Sequence, residues 1–188
     1  MLKTKLTTKK IVLCAMLAAL TVAGSALRIT LPLEIAGTTS FHLGNIMCAL
    51  SGILLGPWLG GVAAGLGSAI YDMMNPLYIS EAWITFLTKA AYGLAAGFVA
   101  WSGKKPWGYV RAIAATTAGA LVYAALYLAK SYFYSGILLS GLTPDAALLA
   151  LIPKLPATTF NAVIAIICAP MLAIAIREAL KRNHLSLD

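Results

Sequence analysis

The chain has 188 residues, of which 61% are hydrophobic and only 11% charged; a mean hydropathy of +0.87 makes it far more apolar than a soluble domain requires. In so apolar a chain the formal net charge of +8 reads as a membrane-topology signal, not as a footprint for nucleic acid. Cys14, Cys48 and Cys168 lie in apolar runs without CxxC or CxxH spacing and offer neither a disulfide framework nor a metal site.

A helix needs about 20 apolar residues to cross the hydrocarbon core. The sequence therefore predicts an all-α integral membrane protein, one membrane domain over 1–188 with six transmembrane helices. The first span is placed at about 10–29, ending before Leu31-Pro32. Its basic leader, MLKTKLTTKK, has the look of a signal peptide, but the apolar run outlasts an h-region and more spans follow, so it is read as a transmembrane helix. Thr21, Ser25 and Arg28 recur near its end at i, i+4 and i+7, on one face. A loop through Glu34 and the small polar stretch 37–40 leads to the second span, about 41–55, opened by His42 and Asn45. Gly56-Pro57 turns the chain into the third, about 58–74, which Ser68, Asp72 and Asn75 close and Asn75-Pro76 terminates.

The fourth span, about 80–101, opens with Glu81, Thr85, Lys89 and Tyr92. The fifth, about 109–134, closes with Tyr123, Tyr127, Lys130 and Tyr134. After a loop over 136–144, a short helix within 146–154 is expected across the mouth, broken by Pro153 and Pro156. The last span, about 157–180, is opened by Lys154, Thr158 and Asn161 at successive turns, and Pro170 is expected to kink it. Each polar set falls at the same end of the bundle.

Charge gives that end a side. Lys3, Lys5, Lys9, Lys10, Lys104, Lys105, Arg111, Arg177, Lys181 and Arg182 fall together, opposed only by Glu178 and Asp188. The other side holds Arg28, Lys89, Lys130 and Lys154 against Glu34, Asp72, Glu81 and Asp145. The positive-inside rule then makes both termini cytoplasmic and turns the polar ends outward. Trp101, Trp107 and Tyr109 flank the basic turn, and Tyr78, Trp83, Tyr132 and Tyr134 mark the opposite interface.

Ionisable groups within a span cost about 2.5–3.5 kcal/mol each to insert and normally face an interior, a partner or water. Lys89 lies about 13 Å into its helix and needs a partner. Paired with Asp72, it either fixes helix register or faces a ligand. Arg28 either snorkels or reaches inward, and His42 is either a cap or a contact, with Asn45 the stronger candidate. Glu34, Asp145 and Lys154 are read as loop and rim residues. The candidate ligand-binding set is Arg28, His42, Asn45, Asp72, Asn75, Glu81, Trp83, Thr85, Lys89, Tyr92, Tyr127, Lys130 and Asn161. Tyrosines at helical spacing are most often packing residues, but a pocket mixing aromatic faces with amides and charges suits a flat polar heterocycle. Equal numbers of cations and carboxylates leave its charge open. The opposite halves of the helices carry small residues, Gly52, Gly56 and Gly60 at four-residue steps, then Gly61 and Gly65. Ala15 and Ala19 make an AxxxA pair, a spacing that recurs at Ala96 and Ala100 and so assigns nothing by itself.

In order and topology, Ala15 and Ala19, His42-Leu43-Gly44-Asn45, Gly56-Pro57, Gly65-Leu66-Gly67-Ser68, Asp72, Thr85-Phe86-Leu87-Thr88-Lys89 and Gly93 resemble an S component of an energy-coupling factor (ECF) transporter. The stretch 42–97 is most similar to the riboflavin-type branch, a label that does not fix the substrate. The resemblance implies an S-component-like bundle in a bacterial or archaeal plasma membrane, a subunit that binds a vitamin or related micronutrient outside and topples to release it inside. It implies as partners a coupling transmembrane subunit, docked on Ala15 and Ala19, and two ATP-binding subunits. No cofactor is expected in this chain; ATP belongs to the partners, consistent with the missing Walker A motif. Pyrimidine, pyridine, flavin and deazapurine substrates stay open, with a small nitrogen heterocycle ranked above riboflavin. A second class is an autonomous proton-coupled transporter using Asp72, Lys89 and Glu81 as a relay, although the chain shows no inverted repeat of broken helices. An enzyme is not expected, for HExxH and GxSxG are both missing.

Overall fold

The computed structural model describes residues 7–32, 38–103 and 106–183. The expectations resting on Lys3, Lys5, Glu34, Gly37, Lys104, Lys105 and Asp188 lie outside the described residues. Seven α-helices and one β-hairpin make up the described chain, with three short helical segments of other pitch: α1 (Thr8–Ala26), β1 (Arg28–Pro32), β2 (Thr38–His42), α2 (Gly44–Leu55), α3 (Pro57–Met73), a 3₁₀ turn (Ile79–Glu81), α4 (Ala82–Ala100), α5 (Tyr109–Lys130), a π-helical segment (Ser131–Leu139), α6 (Pro144–Leu149), a second 3₁₀ turn (Ile152–Lys154) and α7 (Leu155–Arg182).

Four stretches are long and apolar enough to cross a membrane: Thr8–Ala26, Ile79–Ala100, Tyr109–Leu139 and Pro144–Arg182. α2 and α3 are shorter, with 12 and 17 residues. Between them Gly56 takes φ 79°, a left-handed conformation that glycine adopts without strain, and Pro57 occupies the first turn of α3, where its missing N–H costs nothing. α2 is the axis of the bundle. Every residue in it except Met47 is buried, and it packs against α1, α3, α4, α5 and α7.

Glycines bring three of these backbones together. A Cβ on Gly60 would lie 2.5 Å from Gly52 Cα and from Ser51 O, and one on Gly93 would lie 2.6 Å from Gly60 O. Any side chain there would collide with main chain, so the small residues are what let α2, α3 and α4 pack. Beside that seam Leu50, Ile53, Leu54, Ala63, Ala100, Ala112 and Ala173 form an apolar cluster. It fills the end of the bundle that carries Lys9, Lys10, Arg111, Arg177, Lys181 and Arg182.

The all-α expectation needs correction at the first helix end. α1 stops at Ala26, and Arg28–Pro32 pairs antiparallel with Thr38–His42, in the register Arg28↔His42, Thr30↔Ser40 and Pro32↔Thr38. β-branched Ile29 and Thr30 and the ring of Pro32 favour extended backbone. Alternation then turns Ile29, 68% exposed, outward and Arg28 and Thr30 inward. The hairpin is tied to α1 by Leu43 N–H donating to Gly24 O, 3.1 Å. For the same reason the second helix starts at Gly44, not at 41. The fifth helix continues as π-helix to Leu139 where a loop was expected, and α7 runs from Leu155 without a break at Pro156, which sits in its first turn. Trp107, expected at the interface, is buried: Arg177 Nη1 donates to its carbonyl and the guanidinium lies 4.4 Å from its ring centroid.

Candidate ligand-binding cavity

A cavity of about 360 Å³ lies at the hairpin end. Its walls are the ends of six helices: Ser25 of α1, Ser68 and Asp72 of α3, Thr85, Thr88 and Lys89 of α4, Tyr123, Tyr127 and Lys130 of α5, Ser131 and Ser135 of the π-helix, and Thr158 and Asn161 of α7. The hairpin contributes Arg28, Thr39, Ser40 and His42, and the short turns contribute Tyr78, Glu81 and Lys154. Helical spacing of three and four residues stacks each set on one inward face.

Lys89 is 4% exposed. The expected Lys89–Asp72 ion pair is not formed. Lys89 Nζ instead donates to Asn45 Oδ1 and sits 3.8 Å from the Tyr123 ring centroid, a cation–π contact. The partner comes from α2, the central helix, and not from the helix preceding Lys89 in sequence. Asp72 is buried and lines the cavity without an ion pair among the described residues. Glu81 accepts from Lys130 Nζ and from Ser135 Oγ, the latter at 2.8 Å, joining the turn before α4 to the end of α5. Arg28 Nε donates to Ser25 O at 2.7 Å, and its guanidinium packs 4.2 Å from the Tyr71 and 4.8 Å from the Tyr78 ring centroids.

Three tyrosines form a ladder. Tyr92 stacks on Tyr123 and Tyr123 on Tyr127, each pair 5.8 Å between centroids, at interplanar angles of 25° and 27°. Tyr92 is fully buried behind the other two, which face the cavity. Asn161 is a fastener. Its Nδ2 donates to Ser40 O at 2.8 Å and its Oδ1 accepts from His42 N–H at 2.9 Å, which pins β2 to α7.

His42 Nδ1 accepts from Gly44 N–H at 3.2 Å at the start of α2, which only a neutral ring nitrogen can do. The unfolded chain takes up a proton at this side chain below about pH 6.5, so stability held above that pH is lost as pH falls through it. The thermal midpoint should fall between pH 7.5 and 5.5, and His42→Asn should flatten that part of the profile.

Of the expected contacts, Arg28, His42, Asp72, Glu81, Thr85, Lys89, Tyr127, Lys130 and Asn161 line the cavity. Asn45 stands behind Lys89. Asn75 shapes a turn, donating to Tyr71 Oη and accepting from Leu77 N–H. Trp83 is 57% exposed and packs edge-on against Tyr134. Lys154, read as a rim residue, is 3% exposed and lines the cavity. The signal was its stripe with Thr158 and Asn161. Thr39, Ser40, Ser131 and Ser135 could not be found by helical spacing of charges. On the outside of α1, Ala15 and Ala19 are exposed, flanked by exposed Val12, Met16 and Leu20.

Over residues 5–178 the chain matches the model of the family described as ECF-type riboflavin transporter, S component. The chain belongs to this S-component family. Among solved structures, the S component shares its fold with the S-component for biotin from an ECF-type ABC transporter, a crystal structure at 2.1 Å: TM-score 0.60, 13% identity, 89% of this chain and 94% of that one. It is also 33% identical, over 118 residues, to an uncharacterized protein in the gap 3′ region of Pyrococcus woesei, covering 63% of the S component and 74% of that relative. A transport subunit, not an enzyme, is what this family membership describes.

Proposed function

We propose that this S component captures a vitamin-like small nitrogen heterocycle from outside the cell and delivers it inside on an ATP-driven coupling module. One observation carries the reading: a cavity lined by hydroxyls and both signs of charge, with the Tyr123–Tyr127 ladder in its wall, occupies one end of a bundle whose other end is packed with apolar side chains. Flat rings stack on such a ladder, and the surrounding hydroxyls and charged groups can read the edges of a heterocycle. Lys9, Lys10, Arg111, Arg177, Lys181 and Arg182 gather at the opposite end, which supports an outward cavity and cytoplasmic termini in the plasma membrane. In this reading α2 and α3 complete six spans. The ligand-binding set is the cavity wall, with Asn45 acting through Lys89.

The apolar cluster beneath the cavity supports release by toppling of the whole subunit in preference to passage through it. Ala15 and Ala19 would meet the coupling transmembrane subunit, and two ATP-binding subunits would supply energy that this chain does not. The proton-coupled alternative needs Asp72, Lys89 and Glu81 in communication. Lys89 is bonded to Asn45 and Glu81 to Lys130 and Ser135, and among the described residues no direct hydrogen bond links the three.

The ligand can be identified by mass spectrometry of small molecules released from the gently purified protein, then supplied radiolabelled to vesicles. Accumulation is expected only when the coupling and ATP-binding subunits and ATP are present, with the chain alone retaining about one ligand per protein. Accumulation by the chain alone, driven by a proton gradient, would falsify the proposal.

A further inference from the structure

Four cations line the cavity, Arg28, Lys89, Lys130 and Lys154, against two carboxylates, Asp72 and Glu81, among the described residues. The balance of charge read from the sequence does not survive there, because Asp145 is exposed on α6 and is not part of the wall. Three of the cations are engaged. Lys130 is bonded to Glu81, Lys89 to Asn45 and the Tyr123 face, and Arg28 to a carbonyl and two aromatic rings. Lys154 is different: the residue is 3% exposed, yet its side-chain Nζ makes no hydrogen bond or ion pair among the described residues.

Its position is fixed by the backbone. Lys154 N–H donates to Leu151 O at 3.0 Å, and its carbonyl accepts from Thr158 Oγ1 at 2.8 Å. Lys130 repels it and Glu81 attracts it, but the Glu81 carboxylate is already held by Lys130 and Ser135. Lys154 lines the cavity with no matching anion among the described residues, and a cation so placed within a bundle is retained where something supplies the missing charge.

We infer that the ligand is anionic at neutral pH and that Lys154 receives its acidic group, a carboxylate or a phosphate, while its ring lies against Tyr123 and Tyr127. This deepens the proposed function and rests on the cavity being the transport site.

The test uses the purified full-length chain in lipid nanodiscs, with pyridine-3-carboxylate, its neutral isostere pyridine-3-carboxamide, and phenyl phosphate, titrated by calorimetry at fixed ionic strength. The carboxylate or the phosphate should bind at least tenfold more tightly than the amide, and which of the two does so names the acidic group. Lys154→Met should abolish the preference and Lys154→Arg should retain it. Lys154→Met leaves no ion-pair partner uncompensated among the described residues, and a thermal midpoint for each variant checks that it folds. Equal affinities, binding of none of the three, or a preference that persists in folded Lys154→Met overturns the assignment. ATP-dependent uptake of a compound uncharged at neutral pH would also overturn it while leaving the transport reading intact. Anion binding at Lys154 with no ATP-dependent uptake would do the reverse.

Discussion

Lys89→Met should weaken ligand binding at least about 30-fold, because truncating one member of a buried, hydrogen-bonded charged contact costs about 2 kcal/mol or more. Lys89 lines the cavity, so its removal takes a cation from the wall that a ligand would meet. It also strips Asn45 Oδ1 and the Tyr123 face of their partner, which can lower stability as well. Methionine keeps the length and apolar volume of the lysine stem, so the helices can remain packed. The measurement is equilibrium binding of the released and identified ligand to the purified protein, with the thermal midpoint read in parallel. If Lys89 only held α4 in register against α2, stability would fall and affinity in the folded fraction would not change. That outcome would remove it from the ligand-contacting set.

Ala15→Trp combined with Ala19→Trp should abolish uptake and leave ligand affinity within about twofold of the parent. Both alanines are exposed on α1, at the opposite side of that helix from buried Leu17, Thr21 and Ser25, so bulk added there meets no residue of the subunit itself. It would hold a partner helix away, since small residues are what permit close helix approach in lipid. Uptake is measured in vesicles with the coupling and ATP-binding subunits, and affinity on the isolated chain. Undiminished uptake would place the coupling subunit elsewhere.

Much of the fold could be read along the chain, for reasons visible in particular residues. Long apolar runs have few alternatives to helix in a membrane, Gly56-Pro57 marks a turn that only a few conformations satisfy, and inward stripes such as Tyr123, Tyr127 and Lys130 follow from helical pitch. The hairpin was hidden because Ile29 and Leu31 continue the apolar run of α1 and look like its last turn; only pairing with Thr38–His42, remote from any local signal, makes them a strand. The partner of Lys89 was missed because depth along a helix says nothing about direction around it, and Asn45 lies sideways across the bundle. Lys154 was misplaced because two prolines made its neighbourhood look like a loop at the rim, whereas the 3₁₀ turn Ile152–Lys154 carries it inside.

The seam of Gly52, Gly60 and Gly93 has a mechanical consequence. Contacts between main chains have no rotamers through which to yield, so α2, α3 and α4 behave as a stiff plate. α5 is held against that plate too, for a Cβ on Gly119 would lie 2.9 Å from Tyr92 O. The hairpin is tied differently, by individual hydrogen bonds at Asn161 and Leu43. Any yielding at the cavity mouth is therefore expected in the hairpin before the helices.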